Sequence, residues 1–380
     1  MKYVKQLDSL RAIAVILVMI NHWITYRFIN NIPTGKIGVD VFFVLSGFLI
    51  TRILFNSREN AESGNASKSR PLKNFFIRRA LRIFPIYYLT LFVLLIFHES
   101  TETNIQSAFG WFITYTSNFY FIKLGNWDGM ISHLWSLSVE EQFYLVWPWL
   151  MLFVNKKYLR AVIIGFIITG IAGGYLTSGS KVDYIYTFAC FDAFGLGALL
   201  AWHITYRPET LKKFFSRLSV FAGLAAVLFI AGLVQQNWKY VPLRTLNATI
   251  ALWFITYIMT YAENGKLRFK FIFNNPVLIY LGKISYGIYL FHNFIPDINL
   301  NIINVYFNPL LPDVLYKTYW NYLFLAENIL LVIIISSLSY VLIEKRFLNL
   351  KKYFEYSGDS NAQKAVTAKN RLLYLFSRRK

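Results

Sequence analysis

Arg11 and His22 stand eleven residues apart around the first apolar run of the chain, residues 10–28. In a helix of about 100° per residue, eleven steps end ~20° past three full turns and rise roughly 16 Å. The two side chains therefore share one face. A guanidinium at the membrane edge would stand in line with an imidazole near the middle of a ~30 Å hydrocarbon core, where ionisable groups face a cavity or a partner. Imidazole is also the side chain whose ordinary pKa suits a general base near neutral pH. Arg11 alone could be an orientation charge, and His22 alone a hydrogen-bonded packing residue. Their shared face favours a site, one able to take a proton from a hydroxyl.

Other groups recur with spacing that suits the same chemistry. Arg78, Arg79 and Arg82 form a basic entry to an apolar segment, and 78 and 82 lie about one helical turn apart. Guanidinium forks match phosphate oxygens, so these three, with Arg52 at the inner end of the second segment, suit a phosphate-bearing ligand. Any cytoplasmic loop would be basic too. Ser138-Val-Glu-Glu141 has capping-box spacing, which would place Glu141 on a helix N-terminus and turn Glu140 about 100° away toward a cavity. If the helix instead begins at His133, then His133 and Glu140 share a face, and the sequence leaves both starts open. Gly38, Ser46 and Gly47, near Asp40, are small residues that let helices approach closely. Asp192 and His292 are further ionisable residues within apolar runs, and a His292 bonded to a neighbouring carbonyl is the plainer reading. No His or carboxylate pair has metal-ligand spacing, and neither Gly-x-Ser-x-Gly nor a phosphate-binding glycine loop occurs.

Helices in a membrane must position these groups. The 380 residues are 56% hydrophobic and 15% charged, with a mean hydropathy of +0.43, which excludes an ordinary soluble domain. Ten apolar segments are near crossing length, at about 10–28, 38–56, 83–98, 140–155, 160–177, 185–205, 217–235, 243–262, 278–297 and 323–344. No closed-barrel alternation is visible. The predicted class is all-α: a polytopic integral membrane protein of about ten transmembrane helices. The 39 Lys and Arg against 19 Asp and Glu do not point to nucleic acid, because they fall between apolar runs on alternate sides. With the N-terminus in the cytoplasm, 31 of them lie inside and 7 outside, leaving Lys283 within the ninth segment. Both termini are then cytoplasmic.

Cys190 is the single cysteine, so neither an internal disulfide nor a thiolate cluster is available. Lys2 and Lys5 precede the first run as in a signal peptide, but no small-residue cleavage site follows, and the run is kept as a span. Residues 57–70 read as a flexible cytoplasmic linker, residues 1–356 as the transmembrane domain and residues 357–380 as a basic, disordered cytoplasmic tail. An external loop at about 99–139 carries Trp111, Tyr115, Tyr120 and Trp127, which suit either sugar rings or an interfacial aromatic belt.

Five motifs occur in order: Leu7-Asp-Ser-Leu-Arg-Ala-Ile-Ala14 leading to His22; Gly38-Val-Asp-Val-Phe-Phe-Val-Leu-Ser-Gly-Phe-Leu-Ile50; Arg78-Arg-Ala-Leu-Arg-Ile-Phe-Pro85; His133-Leu-Trp-Ser-Leu-Ser-Val-Glu-Glu-Gln-Phe-Tyr144; and Ser285-Tyr-Gly-Ile-Tyr-Leu-Phe-His292. Together they resemble the membrane-bound acyltransferase-3 family over about residues 5–347. The resemblance implies a ten-helix enzyme that moves an acyl group, usually acetyl from acetyl-CoA, to a carbohydrate or lipid-linked glycan at the far side of the membrane. The family's arginine–ten residues–histidine signature falls on Arg11 and His22. Two departures stand out. Cys190-Phe191 occupies the place where the family would have an arginine before Asp192, and no esterase-like domain follows the last span. Acceptor handling is therefore expected from the membrane domain alone.

The expected site has His22 with Glu140 or Glu141 in catalysis and Arg11, Arg52, Arg78, Arg79 and Arg82 on the acyl-CoA donor. His133, Trp135 and His292 are expected toward the acceptor, and no metal is expected. Acyl-CoA would enter from the cytoplasmic side of a bacterial inner membrane and the glycan hydroxyl from outside. Transfer would run either directly or through an acyl-histidine. A secondary transporter would carry inverted repeats, which are not visible. A non-catalytic glycan exporter holding the same residues is the other rival.

Overall fold

A computed structural model of the chain describes residues 3–24, 31–101, 103–179, 182–235, 242–262 and 267–354. The tail expected at 357–380 lies outside the described residues. Those residues form helices and no strand. Six stretches are long and apolar enough to cross a membrane: Thr34–Ser63, Ser69–Ile96, Lys156–Leu176, Phe188–Tyr206, Pro208–Gln235 and Thr318–Tyr353. Of the other four apolar segments, three form continuous helices of 18, 19 and 19 residues, Gln6–Trp23, Trp135–Phe153 and Leu243–Tyr261, which are less apolar, and the fourth is broken into Pro276–Lys283 and Ser285–Phe291. We label the main elements α1 (Gln6–Trp23), α2 (Thr34–Ser63), α3 (Ser69–Ile96), α4 (Trp135–Phe153), α5 (Leu159–Leu176), α6 (Phe191–Tyr206), α7 (Leu211–Gln235), α8 (Leu243–Tyr261), α9 (Pro276–Lys283), α10 (Ser285–Phe291) and α11 (Asp313–Ser339).

The first helix starts a turn earlier than the apolar run. Asp8 pairs with Arg11 at 2.6 Å, and the Ser9 hydroxyl donates to the Phe273 carbonyl at 2.9 Å, so polar residues before Leu10 are already held in helical register. The helix ends at Trp23, which places His22 in its last turn.

The centre of the molecule is α2, and its length corrects the expected linker. Residues 57–63 continue the helix because Arg58 turns inward. Its Nε lies 2.8 Å from Glu62, and its Nη1 donates to the carbonyls of Met151 and Val154 at 3.0 and 2.7 Å. Those carbonyls belong to the end of α4, where a helix leaves acceptors unpaired. A charge that reads as an orientation signal therefore also caps a helix. On its other side α2 meets α6 backbone to backbone. A Cβ on Gly47 would lie 2.1 Å from the Phe194 carbonyl oxygen, and one on Gly197 would lie 2.0 Å from that of Val44. No residue with a Cβ fits at either place without parting the helices.

Helix α3 is continuous from Ser69, so Arg78, Arg79 and Arg82 project from a helix rather than a loop. The segment after it, expected outside, folds back as two short helices, Ile105–Ile113 and Ser117–Leu124, and a 3₁₀ turn at Gly129–Leu134. Tyr115 is buried there, its ring stacked on Tyr87 at 4.4 Å, so it packs inside rather than lining a sugar platform or a belt. Trp127 remains exposed.

Arg244 counts as an external charge by position, yet it is buried in an ion pair. Its Nε lies 3.3 Å from Asp40 Oδ1, its Nη1 donates to the Ala189 carbonyl at 2.5 Å, and it covers the Tyr184 ring at 3.8 Å. Asn247 donates to the other Asp40 oxygen at 2.9 Å, and Tyr184 also hydrogen-bonds it. The guanidinium thus rests against the 189–190 segment, where the sequence lacks the arginine expected before Asp192. Helix α8 supplies one from across the interface. Asp192 itself accepts from Thr245 at 2.6 Å.

Candidate functional site

A cavity of about 470 Å³ opens between α1, α2, α3, α4 and α10. Its basic end carries Arg11, Arg78, Arg79 and Arg82, with Tyr3 and Asn60 at the rim. Four of the five arginines singled out by sequence therefore line one space. Their guanidinium groups are differently engaged. Arg11 is held by Asp8, which also takes a hydrogen bond from Tyr3. Arg78 Nη1 donates to the carbonyls of Lys351 and Phe354 at 2.9 and 3.2 Å, fastening the end of the described chain to α3. Arg79 lies over the Tyr144 ring at 4.9 Å, and neither Arg79 nor Arg82 makes a hydrogen bond or ion pair among the described residues. Arg52 is not on the wall; its guanidinium sits 5.9 Å from the Phe48 ring.

Midway along the cavity Tyr144 donates to Ser46 Oγ at 3.0 Å, and Ser46 donates onward to Glu140 Oε1 at 2.9 Å. Glu140 faces the space and is fixed by this relay across α2 and α4. Ser46, grouped by sequence with the packing glycines, is instead a polar wall residue. Glu141 faces away from the cavity, and its Oε1 is buried with no hydrogen-bond partner among the described residues. The capping box does not form. Helix α4 begins at Trp135, after the 3₁₀ turn, and the Ser138 hydroxyl bonds Ser117 at 2.8 Å instead. The alternative start at His133 falls in the 3₁₀ turn that leads into α4, two residues early, and of the pair His133 and Glu140 only Glu140 lines the cavity.

Ser136 and Tyr289 also line the cavity, and their hydroxyls hydrogen-bond each other and the His133 carbonyl. Beyond them lie three imidazoles in a row. His133 and His292 have ring centroids 4.9 Å apart, and His292 and His22 are 5.0 Å apart, edge to face in both cases. His133 and His292 are buried; His22 is exposed. His292 Nδ1 donates to the Tyr289 carbonyl at 2.7 Å, the plainer reading of that residue. Both ring nitrogens of His133 lie within hydrogen-bond distance of backbone carbonyls, Met130 at 2.9 Å and Leu290 at 3.1 Å.

His22 is not on the cavity wall. On the face of α1 that it shares with Arg11, the buried side chains of Val15 and Val18 fill the interval. Tyr289 bridges the remaining gap, since it lines the cavity and packs against His292 at 5.6 Å. Trp135 is buried edge-on against Phe43 and Tyr184 and turns no face outward. Of the residues expected toward the acceptor, His292 packs directly on the exposed His22, His133 lies one ring further in, and Trp135 packs elsewhere.

Three residues of the site were not singled out by sequence: Tyr289, Tyr144 and Asn293. Asn293 accepts from or bonds His22 Nδ1 at 2.8 Å, and it directly follows His292. An uncharged amide beside a histidine in an apolar run was the available signal. Among the described residues no group of three His, Cys, Asp or Glu side chains is placed to hold a metal ion.

The family model described as an acyltransferase domain matches residues 4–344. The peptidoglycan O-acetyltransferase OatA of Listeria monocytogenes is 31% identical over 315 residues, covering 77% of this chain and 49% of that protein. The O-acetyltransferase OatA of Staphylococcus aureus is 31% identical over 320 residues, covering 77% of this chain and 50% of that protein. The chain spans about half the length of these curated relatives. No solved structure matches.

Proposed function

This chain belongs to the acyltransferase family whose domain model it matches, and we propose that it transfers an acetyl group from acetyl-CoA to a hydroxyl of a bacterial surface glycan. The observation that carries the reading is the cavity with a basic end and a fixed carboxylate, running toward an exposed histidine. Its shape and chemistry suit a long donor with charge at one end. Phosphates of acetyl-CoA meet Arg79 and Arg82, whose N–H groups make no hydrogen bond among the described residues, with Arg11 and Arg78 adding positive charge to the same end. The pantetheine arm runs past Glu140, whose carboxylate accepts from an amide N–H. The thioester comes to rest near Ser136 and Tyr289.

The acceptor approaches His22 from the exposed side. His22 takes the hydroxyl proton, the hydroxyl oxygen forms a bond to the acetyl carbon, the carbon–sulfur bond breaks, and the coenzyme A thiolate leaves. The proton on His22 then passes to the thiolate or to water. For the carbon to reach this oxygen, the Ser136–Tyr289 contact must part, because that pair separates the cavity from His22. Attack through an acyl-histidine needs the same opening. The relatives' names make peptidoglycan a reasonable first acceptor to try.

The test is mass spectrometry of surface glycans from cells with and without the gene, and from cells carrying His22→Gln. Acetyl increments present only with the intact gene support the reading. Identical glycans in all three overturn it.

A further inference from the structure

The surroundings of Asn293 determine which nitrogen of His22 is free to act. Met130 offers a carbonyl oxygen, which only accepts, and Asn293 Nδ2 lies 2.8 Å from it. The amide cannot be flipped without setting oxygen against oxygen. Its NH2 group therefore faces Met130, and its Oδ1 faces His22 Nδ1 at 2.8 Å. An amide oxygen also only accepts, so Nδ1 must carry the hydrogen. The segment is tied down as well: Trp23, next to His22 in α1, donates from Nε1 to the His292 carbonyl at 3.1 Å. The end of α1 and the stretch 292–293 are thus bolted together on both sides of the imidazole.

We propose that Asn293 is a positioning residue that fixes His22 as its Nδ1–H tautomer, leaving the lone pair on Nε2 as the base. The inference deepens the acetyl-transfer reading and rests on it for its catalytic meaning. Its structural content can be tested separately. A histidine whose Nδ1–H is satisfied by an oxygen acceptor has both its tautomer and its ring angle set before substrate arrives. Without the acceptor, the ring is free to hold its hydrogen on Nε2, where it cannot accept a proton.

The test uses the full chain in lipid nanodiscs. Solid-state NMR of protein with ¹⁵N-labelled histidine distinguishes protonated from bare ring nitrogens. Only five histidines are present, and His22 is assigned by the signals lost in His22→Gln. The expected result is a protonated Nδ1 and a bare Nε2 in the wild type, with Nε2–H gaining population in Asn293→Leu. A wild-type His22 protonated on Nε2 alone overturns the proposal. In parallel, transfer from acetyl-CoA to a soluble peptidoglycan fragment is followed. Asn293→Leu should lower kcat by about ten- to a hundred-fold while the donor KM stays within about two-fold. Asn293→Asp keeps an oxygen on Nδ1–H but sets its other oxygen against the Met130 carbonyl, so it is read by NMR rather than by turnover: His22 Nδ1 should stay protonated. If Nδ1 is bare in Asn293→Asp, or if Asn293→Leu leaves the tautomer of His22 unchanged, Asn293 only ties down the backbone, and the proposal falls. If the wild type shows Nδ1–H but transfers nothing, the acetyl-transfer reading fails while the tautomer assignment stands.

Discussion

Ser46 donates a 2.9 Å hydrogen bond to Glu140 across the cavity wall, whereas the next residue, Glu141, has a buried carboxylate oxygen with no partner among the described residues. Two adjacent and chemically identical side chains are thus placed in unlike surroundings by one 100° step of helix. Glu140→Gln keeps an oxygen for Ser46 but removes the charge. We expect it to fold normally and to lower transfer, read as kcat in nanodiscs. Glu141→Gln should leave donor binding within about two-fold of wild type, since the residue does not touch the cavity. A larger loss from Glu141→Gln than from Glu140→Gln would reverse this assignment.

For His22, both His22→Ala and His22→Gln should reduce transfer by ~10²–10⁴-fold, the usual contribution of a general base. Donor binding should persist, because the arginines stand at the other end of the cavity. In the wild type, activity should fall on the acid side, where a protonated imidazole has no lone pair to offer. A glutamine variant with near wild-type turnover removes the base from the mechanism.

The arginines separate by engagement. Arg79→Gln and Arg82→Gln should each weaken acetyl-CoA binding by roughly ten-fold or more, from the ~1.5–3 kcal/mol of a charge-assisted hydrogen bond. Arg78→Gln should act mainly on stability, because its Nη1 is occupied by the Lys351 and Phe354 carbonyls. Isothermal titration beside a thermal melt distinguishes the two outcomes, and equal donor affinities throughout would return the arginines to orientation charges.

The Asp40–Arg244 pair is nearly closed to solvent, at 0% and 7% side-chain exposure. Arg244→Met leaves Asp40 without its cation and should cost about 3–5 kcal/mol of stability, seen as a lowered melting temperature. Adding Asp40→Asn to that variant should recover part of the loss. A single variant as stable as the wild type would mean that the pair is not closed in the membrane.

Orientation can be read from cysteines placed singly at Ser63 and Asn126, both exposed. Gly125 next door is unsuitable, since its φ of +64° disfavours a side chain. The 31-to-7 placement of basic residues predicts that only the Asn126 position labels in intact cells. Equal labelling of both sites contradicts the proposed topology.

Much of the helical fold was legible because apolar run length is a local signal. The convergence of Arg11, Arg78, Arg79 and Arg82 could be guessed from their shared side of the membrane. The partners of each charge could not. Arg58 caps α4 and Arg244 closes on Asp40 through contacts 93 and 204 residues apart, which no periodicity encodes. The helix starts failed for a related reason. Ser138 had the right spacing for a cap, but Ser117 in a folded-back loop claimed its hydroxyl. His22 fell at a helix end because α1 stops at Trp23, where Ile24 turns to extended backbone, short of the end of the apolar run.

The glycine contact between α2 and α6 determines where the molecule can yield. With Gly47 and Gly197 each against the opposite backbone, those helices have no slack and behave as a fixed post. Tyr289 belongs to the other jamb. It sits on α10, a seven-residue piece that follows α9 only after a break at Ile284, where the backbone turns to φ −94° and ψ 7°. A short segment with a joint at its foot can swing while the post stays still. The doorway between donor and acceptor is therefore hung on one side only, and its latch is the Tyr289 hydroxyl, which Ser136 and the His133 carbonyl hold together.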